Sequence, residues 1–398
     1  MKNNIMYSKI KKSTLLLAVM FLVVSCDGYL DEQPTTLIDA DYIYTTEDGL
    51  KSGVVSLYKF DRDRCDRSTE DYRSGYTGLM GRYERGTSPA DYGSNLTSTL
   101  FWKHFYNMTN KATDIINAAE VVEGVDTATK NQIIAEAKFF RAHSYFFLYR
   151  MYNNIFVTTK SVTVENAFDV VETSSTKEEI FSLINSDLQF AVDNLQWNVS
   201  FGRISKGTAK HVKAKVAMWQ GDWAEAKKQA LDVIEDPMSP HSLVATTADV
   251  FKGDKNNSEQ LYVIQTDNEL LGGGDVTMMN ANFVTQYFQI PGIVEDLEQG
   301  GRGFSRVIPN NYLLDLLAED PNDTRDDNTY FRLKYYYTSG ANVGQEIDIY
   351  KPISAANPNG VELTRYYQRL HPSCVKFAEN DDDPTNYRVH SNKLIYRL

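Results

Sequence analysis

The sequence predicts a mainly α-helical fold of helical hairpins, with irregular loop-rich parts and small β insertions. Three observations support this fold class. Apolar residues recur at helical spacing in several segments between about residues 96 and 236. A Gly-Asp pair inside one of these segments predicts a tight turn between two helices. After Pro237 the periodicity gives way to glycine-rich stretches and short runs of β-forming residues.

Residues 1–25 have the organisation of an export signal. A lysine-rich start is followed by an apolar core, Leu15–Val24, that is too short to span a bilayer as a stable helix. Ser25 before Cys26 resembles the lipobox of bacterial lipoproteins, in which the cysteine is acylated, typically with palmitate, and becomes the mature N-terminus. Acyl chains would then anchor the protein. A plain secretory signal with an incidental cysteine is the alternative.

The next part of the chain predicts one helix and then a long loop region. A short helix is expected from Thr46 to Lys59, because its apolar residues lie on one face. Phe60–Asn95 has little periodicity and is rich in Asp, Arg, Gly, Ser and Tyr. Loops of this length usually have a function or are disordered, and the tyrosines argue against disorder.

Three further segments predict long helices, namely Thr97–Val122, Asn131–Tyr152 and Thr176–Leu195. The first contains F-W-K-H-F-Y-N and the second A-E-A-K-F-F-R-A. Together with C-D-G-Y-L-D-E-Q-P, which begins at Cys26, these motifs resemble outer-membrane proteins of the SusD/RagB type. That resemblance implies a SusD-like domain on a tetratricopeptide-like scaffold.

The clearest hairpin runs from Gly202 to Pro237. Ser205 is placed to cap its first helix, Gly221 interrupts the apolar pattern, and Asp222 is placed to cap its second helix. The apolar face predicted for the second helix consists of Trp223, Ala226, Ala230, Leu231 and Ile234. The pattern resembles a tetratricopeptide unit, which needs stacked neighbours. An ordinary helical hairpin within a core fits the same residues.

The part after Pro237 predicts short elements. Glu259–Gln265 is the best strand candidate, and Asn311–Glu319 predicts a short helix. Phe331–Thr338 and Gly344–Tyr350 are expected to pair as a hairpin. The chain ends at Asn392–Leu398, which we interpret as the opening of an apolar helix.

The expected domain organisation follows from these elements. Residues 1–25 form a lipoprotein signal peptide and residues 26–398 a single SusD-like domain. The helical scaffold covers about residues 96–236 and the loop-rich, β-containing part about residues 237–390. Because members of the family continue into further helices, the resemblance implies that the sequence is C-terminally truncated and lacks its final helices.

Charge and cysteine content exclude some classes of partner. The 398-residue chain has a formal net charge of −12, and removal of the lysine-rich signal would make it more acidic. Nucleic acid is therefore not expected as a partner.

Cys65 and Cys374 are the remaining thiols besides Cys26. An exported location permits a disulfide between them, but sequence does not decide it.

No catalytic or metal-binding pattern stands out. The sequence has no G-x-S-x-G, H-E-x-x-H or Walker motif, and its histidines lack a second ligand at helical spacing. Asp381–Asp383 reads as a solvated turn rather than a catalytic pair, with Ca²⁺ a minor alternative. We therefore expect neither an enzyme nor a cofactor or metal.

A binding function has a physical basis in the loop aromatics. Sugars present apolar C–H faces flanked by hydroxyls, which aromatic rings and nearby polar groups can hold. In SusD-type proteins, loop aromatics and polar groups hold the ligand, and the resemblance points to comparable regions here. The candidate ligand-binding residues are Tyr83, Tyr92, Asn95, Tyr287, Phe288 and Phe304.

The resemblance implies a surface lipoprotein of the outer membrane. Such a protein binds a glycan and delivers it to a SusC-like TonB-dependent transporter. Acidic residues soon after Cys26 resemble surface-export signals of Bacteroidetes lipoproteins. A RagB-like peptide binder is the alternative within the binding class, and a lipid-anchored hydrolase is the alternative outside it.

Overall fold

The computed structural model describes residues 43–67, 80–82, 96–152, 154–163, 166, 168–169, 173–251, 257–265, 279–297, 299–305, 307–323, 325, 330–352, 360–361, 369–376, 385 and 393–398. The signal segment and Cys26 lie outside these ranges. The helices are α1 (Glu47–Arg67), α2 (Leu96–Val121), α3 (Thr127–Met151), α4 (Lys177–Asn194), α5 (Lys206–Gln220), α6 (Trp223–Glu235), α7 (Thr247–Val250), α8 (Met279–Phe283) and α9 (Asn311–Glu319).

Helices α2 to α6 form the predicted scaffold, in which each helix packs against the next one along the chain. Helix α1 packs against both α2 and α3. This arrangement of consecutive helical pairs confirms the mainly α-helical, tetratricopeptide-like fold class. No helix within the described ranges combines the length and the hydropathy that a membrane crossing requires.

The helix boundaries follow the capping residues that the sequence predicts. The Ser205 side chain accepts a hydrogen bond from the Thr208 backbone amide at 3.1 Å and starts α5. Gly221 then ends α5 in the left-handed region, with φ of 79°. The Asp222 carboxylate accepts from the Glu225 amide at 3.0 Å and starts α6. The predicted turn between the two helices is therefore confirmed.

Helix α3 is the centre of the main core. Ile133 to Leu148, apart from Lys138, is buried, so α3 contacts neighbours on nearly every side. Large rings fill the space around it; Phe105 and Phe147, for example, stack with centroids 5.1 Å apart. Burial of this apolar surface contributes about 25 cal/mol per Å² and supplies most of the driving force for the scaffold.

Two buried charges tie α3 to α4. The Arg141 guanidinium donates to the Asp187 carboxylate through Nε at 2.7 Å and Nη2 at 2.9 Å. Arg141 also donates to Thr113 Oγ1 of α2 at 3.2 Å, and Lys138 donates to Asp187 at 3.2 Å. The bidentate pair links α3 to α4, and the bond to Thr113 links the same arginine to α2. Together these contacts fix the relative register of the three helices.

The predicted apolar face of α6 is largely wrong. The buried residues of this helix are Ala226, Gln229 and Val233. Trp223 is 65% exposed and Ile234 57% exposed, while Ala226 alone of the predicted face is buried. Helix α6 is tied to α5 by lysine–carboxylate pairs instead, as between Lys213 and Glu225 at 2.6 Å. Polar pairs therefore replace the apolar contacts that the pattern suggested.

The strands are short and form separate pairs. They are β1 (Met80–Arg82), β2 (Gln260–Ile264), β3 (Val307–Pro309), β4 (Phe331–Arg332), β5 (Asp348–Pro352), β6 (Gly360–Val361), β7 (Ser373–Cys374) and β8 (Lys393–Arg397). Antiparallel pairs form between β1 and β3, β2 and β8, and β4 and β7, whereas β5 and β6 are parallel. The predicted strand at Glu259–Gln265 is confirmed as β2.

The C-terminal stretch is a strand, so the expected helix at Asn392–Leu398 is wrong. Strand β8 pairs with β2, and its Tyr396 hydroxyl lies 2.6 Å from His143 Nε2. Arg397 forms an ion pair with Glu259 at 2.7 Å. Ile395 and Tyr396 of β8 pack against the main core while the strand pairs with β2.

Two other local predictions need adjustment. Helix α1 continues to Arg67, so the loop predicted from Phe60 is wrong for residues 60–67; residues 68–79 and 83–95 lie outside the described residues. The predicted hairpin after Phe331 is present as backbone bonds such as that from the Ile347 amide to the Tyr335 carbonyl at 2.8 Å. Its first residues, however, pair with β7. Cys374 in β7 is a free buried thiol, and burial raises its pKa.

Candidate functional site

The described candidate ligand-binding residues lie in the loop that follows α8. This loop, residues 284–305, contains a single 3₁₀ turn at Tyr287–Gln289 and packs on a small apolar cluster of its own. The cluster consists of Val284, Tyr287, Ile293, Tyr335, Ile347 and Leu370. The loop therefore rests on a core separate from that of the helical scaffold.

Tyr287 is a buried anchor of the loop. Its ring is fully buried, and its hydroxyl donates to the Asp296 carbonyl at 3.0 Å and accepts from the Asp296 amide at 3.1 Å. Burial raises the pKa of this tyrosine to about 12. In this arrangement the ring does not form an exposed platform; it positions the loop between residues 287 and 296.

Phe288 is only half-buried and stands beside a charged group. The Arg302 guanidinium carbon lies 5.4 Å from the Phe288 ring centroid, and Arg302 Nε lies 3.6 Å from Glu295 Oε1. Glu295 Oε1 and Gln299 Nε2 are both buried without a hydrogen-bond partner in the described structure. Buried polar atoms without partners are uncommon in folded proteins and call for an explanation. Phe288, Glu295 and Arg302, which these contacts link, are named the Phe288 site below together with Gln299 of the same loop.

Close backbone contacts fix the far end of the loop. The Phe304 amide donates to the Ala281 carbonyl at 2.6 Å, and the Phe304 ring is half-buried. At Gly303 an added Cβ would lie 2.3 Å from the Val284 carbonyl oxygen, so no other residue fits there without movement. Ser305 has a φ of 56° and donates its amide to Val284.

A neighbouring turn holds the loop from the other side. The Gly292 carbonyl accepts from the amides of Thr338 and Ser339, both at 2.9 Å. The Tyr337 ring covers Gly292 so closely that a Cβ would lie 2.8 Å from its Cδ1 atom. These contacts mean that the Phe288 site is held on a braced loop, as a preorganised binding site requires.

The sequence predicted part of this arrangement. Phe288 and Phe304 lie in the loop at partial exposure, and Tyr287 lies beneath it. Tyr83, Tyr92 and Asn95 lie outside the described residues, so their position relative to Phe288 stays a prediction. Sequence reasoning missed the polar members Glu295, Gln299 and Arg302. They stand in E-D-L-E-Q-G-G-R-G-F, where polar residues in a glycine-rich loop were the available signal.

A concave region lies beside β2. It includes a cavity of about 290 Å³ next to a smaller one of about 160 Å³. The larger cavity is lined in part by Tyr58, Phe201, Arg203, Tyr262 and Gln265. Arg203 packs over the Tyr58 ring and forms an ion pair with Glu136 at 3.0 Å. None of the candidate ligand-binding residues that the structure describes lines either cavity, so the Phe288 site is the stronger candidate.

Four of the described histidines are buried or half-buried within the fold. His143 stacks on Phe139 and contacts Tyr396, and the His371 ring bonds to the Pro309 carbonyl at 2.8 Å. Burial lowers the pKa of His211 to about 4 and also lowers that of His241. Within the described residues, no group of three or more His, Cys, Asp or Glu side chains is arranged to hold a metal ion.

Comparison with known proteins identifies the class to which this fold belongs. Residues 28–217 match a family model described as SusD-like, "starch-binding associating with outer membrane". A SusD-like protein from Bacteroides ovatus is 31% identical over an alignment of 285 residues. The alignment covers 64% of this chain and 50% of that protein. The chain therefore spans about half the length of the curated relatives it matches first.

Solved structures agree with this class at the level of the fold. A laminarin-binding SusD-like protein has a TM-score of 0.63 at 19% identity, covering 89% of this chain and 78% of that one. A structure described as containing xylogluco-oligosaccharide has a TM-score of 0.61 at 23% identity, covering 87% and 68%. The chain is therefore similar to proteins of the SusD/RagB family, in agreement with the resemblance that its motifs carry.

Proposed function

We propose that this protein is a surface lipoprotein that binds a glycan and delivers it to a TonB-dependent transporter of the outer membrane. The observation that carries the binding part is the Phe288 site. It combines a half-buried aromatic ring, an arginine beside it, and two buried polar atoms that have no hydrogen-bond partner among the described residues. Support also comes from relatives whose descriptions name laminarin, xylogluco-oligosaccharide and starch.

The chemistry of the Phe288 site suits a sugar ring. The apolar C–H face of a pyranose stacks on Phe288, while the ring hydroxyls reach the polar groups around it. A side-chain rotation of Glu295 presents Oε1 to accept from a hydroxyl, and one of Gln299 presents Nε2 to donate to a hydroxyl. The ligand then bonds to atoms that have no hydrogen-bond partner within the described structure. Nothing in this set breaks a bond, and the proposed mechanism is binding.

Calorimetric titration tests the binding proposal. The lipid-free chain is titrated with laminarin oligosaccharides, xyloglucan oligosaccharides and maltooligosaccharides. Binding of at least one panel member is expected, with affinity about tenfold weaker in Phe288→Ala because the stacking face is lost. Tyr312→Ala is the matched control, since Tyr312 is 62% exposed on α9 and outside the Phe288 site. Equal affinity in Phe288→Ala and wild type would contradict this site.

Two alternatives are tested with the same preparation. Binding of peptides but of no glycan would favour a RagB-like peptide binder. Released reducing ends or peptide fragments during incubation would indicate a lipid-anchored hydrolase. The proposal expects neither result.

The anchor and the transporter need separate tests. Cys26→Ala should move the protein from the membrane fraction to the soluble periplasmic fraction, because acylation at Cys26 supplies the anchoring free energy. Continued fractionation with membranes would contradict lipidation.

For the transporter, co-purification with a TonB-dependent receptor encoded beside this gene is expected. Its failure in detergent that preserves other outer-membrane complexes would contradict the pairing.

A further inference from the structure

A basic aromatic surface lies at the junction of α3, α5 and β8, and the proposed glycan function does not use it. We define this basic aromatic face by Arg150, Lys215, Trp219 and Tyr396; the Phe146 ring is buried and lies beneath it. The Lys215 ammonium nitrogen lies 4.8 Å from the Tyr396 ring centroid. The Arg150 guanidinium carbon lies 4.5 Å from the centroid of the Phe146 ring. The Trp219 ring meets Phe146 edge-on at 6.2 Å, which closes the far end of the face.

The two cations of this face have no acidic partner in the described structure. Lys210 and Lys213, on the same helix as Lys215, pair with Asp232 at 2.7 Å and Glu225 at 2.6 Å. Lys215 and Arg150 form no ion pair with any described carboxylate and rest only on aromatic rings and, for Arg150, a long contact to the Phe146 carbonyl. Cation–π contacts recover only part of the solvation that a half-buried charge loses.

The electrostatic environment of Lys215 agrees with this geometry. Its pKa is lowered, first by burial and then by the positive charge of Arg150. His211, on the same side of α5, stays neutral at neutral pH because burial lowers its pKa to about 4. A carboxylate placed between Lys215 and Arg150 would offset the repulsion between the two cations and stabilise the charged form of Lys215. The unmet requirement of this face is therefore negative charge.

Exposed apolar side chains on the two helices that carry the cations indicate the kind of molecule that would supply this charge. Met151 of α3 is 39% exposed, and Met218 and Trp219 of α5 are 51% and 53% exposed. Flexible methionines and large aromatics are typical of surfaces that bind protein segments, because they repack around apolar side chains. A second copy of this chain is a poor occupant, since its net charge of −12 opposes self-association.

We propose that the basic aromatic face binds a segment of a separate polypeptide that carries a carboxylate flanked by apolar side chains. The carboxylate lies between Lys215 and Arg150, and the apolar side chains cover Trp219 and the exposed methionines. The proposal is independent of the glycan-binding function, because the Phe288 site belongs to a different apolar cluster.

Selection from a random peptide library displayed on phage tests the proposal. The whole chain is the bait, and the double variant Arg150→Gln/Lys215→Gln is used for counter-selection. Selected peptides should be enriched in Asp or Glu next to Leu, Phe, Met or Trp. Synthetic copies should bind at least about tenfold more weakly to each single Gln variant, and binding should weaken with added salt.

Controls separate loss of charge from loss of fold. Lys160→Gln removes an exposed lysine elsewhere and should leave peptide affinity unchanged. Arg150→Lys with Lys215→Arg keeps both charges and should retain binding. Glycan titration on the same variants should remain at the wild-type value, which also shows that they are folded.

Several results would overturn the proposal. They are selected peptides without acid enrichment, or peptides that bind the Gln variants as tightly as the wild type. Oligogalacturonate binding that requires Lys215, in the absence of peptide binding, would assign the face to an anionic glycan instead. A dimer in sedimentation velocity that Lys215→Gln dissociates would assign the face to a second copy.

Discussion

Removal of the Asp187 carboxylate should destabilise the scaffold more than any surface change on the same helix. Asp187 is fully buried and accepts two hydrogen bonds from Arg141 and one from Lys138. In Asp187→Ala, the Arg141 guanidinium stays buried and keeps only its 3.2 Å bond to Thr113. Breaking a buried ion pair by removing one partner costs about 3–5 kcal/mol. Domains of this kind are stable by about 5–15 kcal/mol, so the loss is a large fraction of the total.

Equilibrium unfolding in urea, followed by tryptophan fluorescence, measures this loss. The midpoint should fall strongly, whereas the slope with denaturant should stay near the wild-type value. Asp193→Ala is the matched control, because Asp193 lies on the same helix but is exposed and bonded only to Gln189. That variant should change the free energy of unfolding by less than about 0.5 kcal/mol.

A second variant distinguishes loss of the ion pair from loss of packing. Arg141→Met combined with Asp187→Leu removes both charges and keeps apolar volume in the space. Since replacing a whole buried pair by apolar residues is often neutral, the double variant should recover much of the lost stability. The reasoning is refuted if Asp187→Ala loses less than about 1 kcal/mol, which lies well below the range for a buried pair.

Three further predictions concern a turn, a titrating group and the loop of the candidate site. Gly221→Ala places a Cβ in the left-handed region at φ of 79° and should cost about 1–2 kcal/mol in thermal unfolding, although open space surrounds it; an unchanged midpoint would contradict this. His211 has a folded-state pKa of about 4, below its ordinary 6.5. Between about pH 6.5 and about pH 4 the unfolded chain therefore binds a proton at His211 that the folded chain does not bind, so the free energy of unfolding decreases as pH falls through this range. In urea titrations at several pH values, His211→Asn should make the free energy of unfolding less dependent on pH over this range. Gly303→Ala should weaken glycan binding because its Cβ would lie 2.3 Å from two backbone oxygens; retained affinity would show that the loop can move.

The helical scaffold was largely predictable because its signals are local. Ser205, Gly221 and Asp222 each act within four residues of their own position, through caps and a positive φ, and they occupy the predicted places. The periodic apolar runs of α2, α3 and α4 also mark helices whose boundaries differ from the predictions by a few residues. Interactions within one helical turn leave a direct record in sequence.

The prediction was weaker wherever a distant segment decides the outcome. Trp223 and Ile234 have the spacing of a buried face, but α5 meets α6 through Lys213 and Lys210 instead. The last residues of the chain have apolar character that suits either a helix or a strand, and pairing with β2 selects the strand. Neither partner can be identified from the segment itself, since both contacts depend on tertiary arrangement.

The candidate site shows the same division between local and distant information. The glycine-rich composition of the loop and its aromatics were visible in sequence, so Phe288 and Phe304 were selected. Burial of Tyr287 was not visible, because it depends on Tyr335 and Leu370, which come from later parts of the chain. The partnerless atoms of Glu295 and Gln299 are likewise a property of the folded loop.

The Phe288 site and the basic aromatic face differ in the kind of ligand that their polar groups require. At the Phe288 site the buried atoms include both an acceptor, Glu295 Oε1, and a donor, Gln299 Nε2, so a neutral ligand rich in hydroxyls satisfies them. At the basic aromatic face both unpaired groups, Arg150 and Lys215, are cations, which a neutral glycan cannot compensate. Because one site is proposed to bind a neutral ligand and the other a carboxylate, a substitution in one site should weaken binding of its own ligand and leave the affinity for the other ligand unchanged.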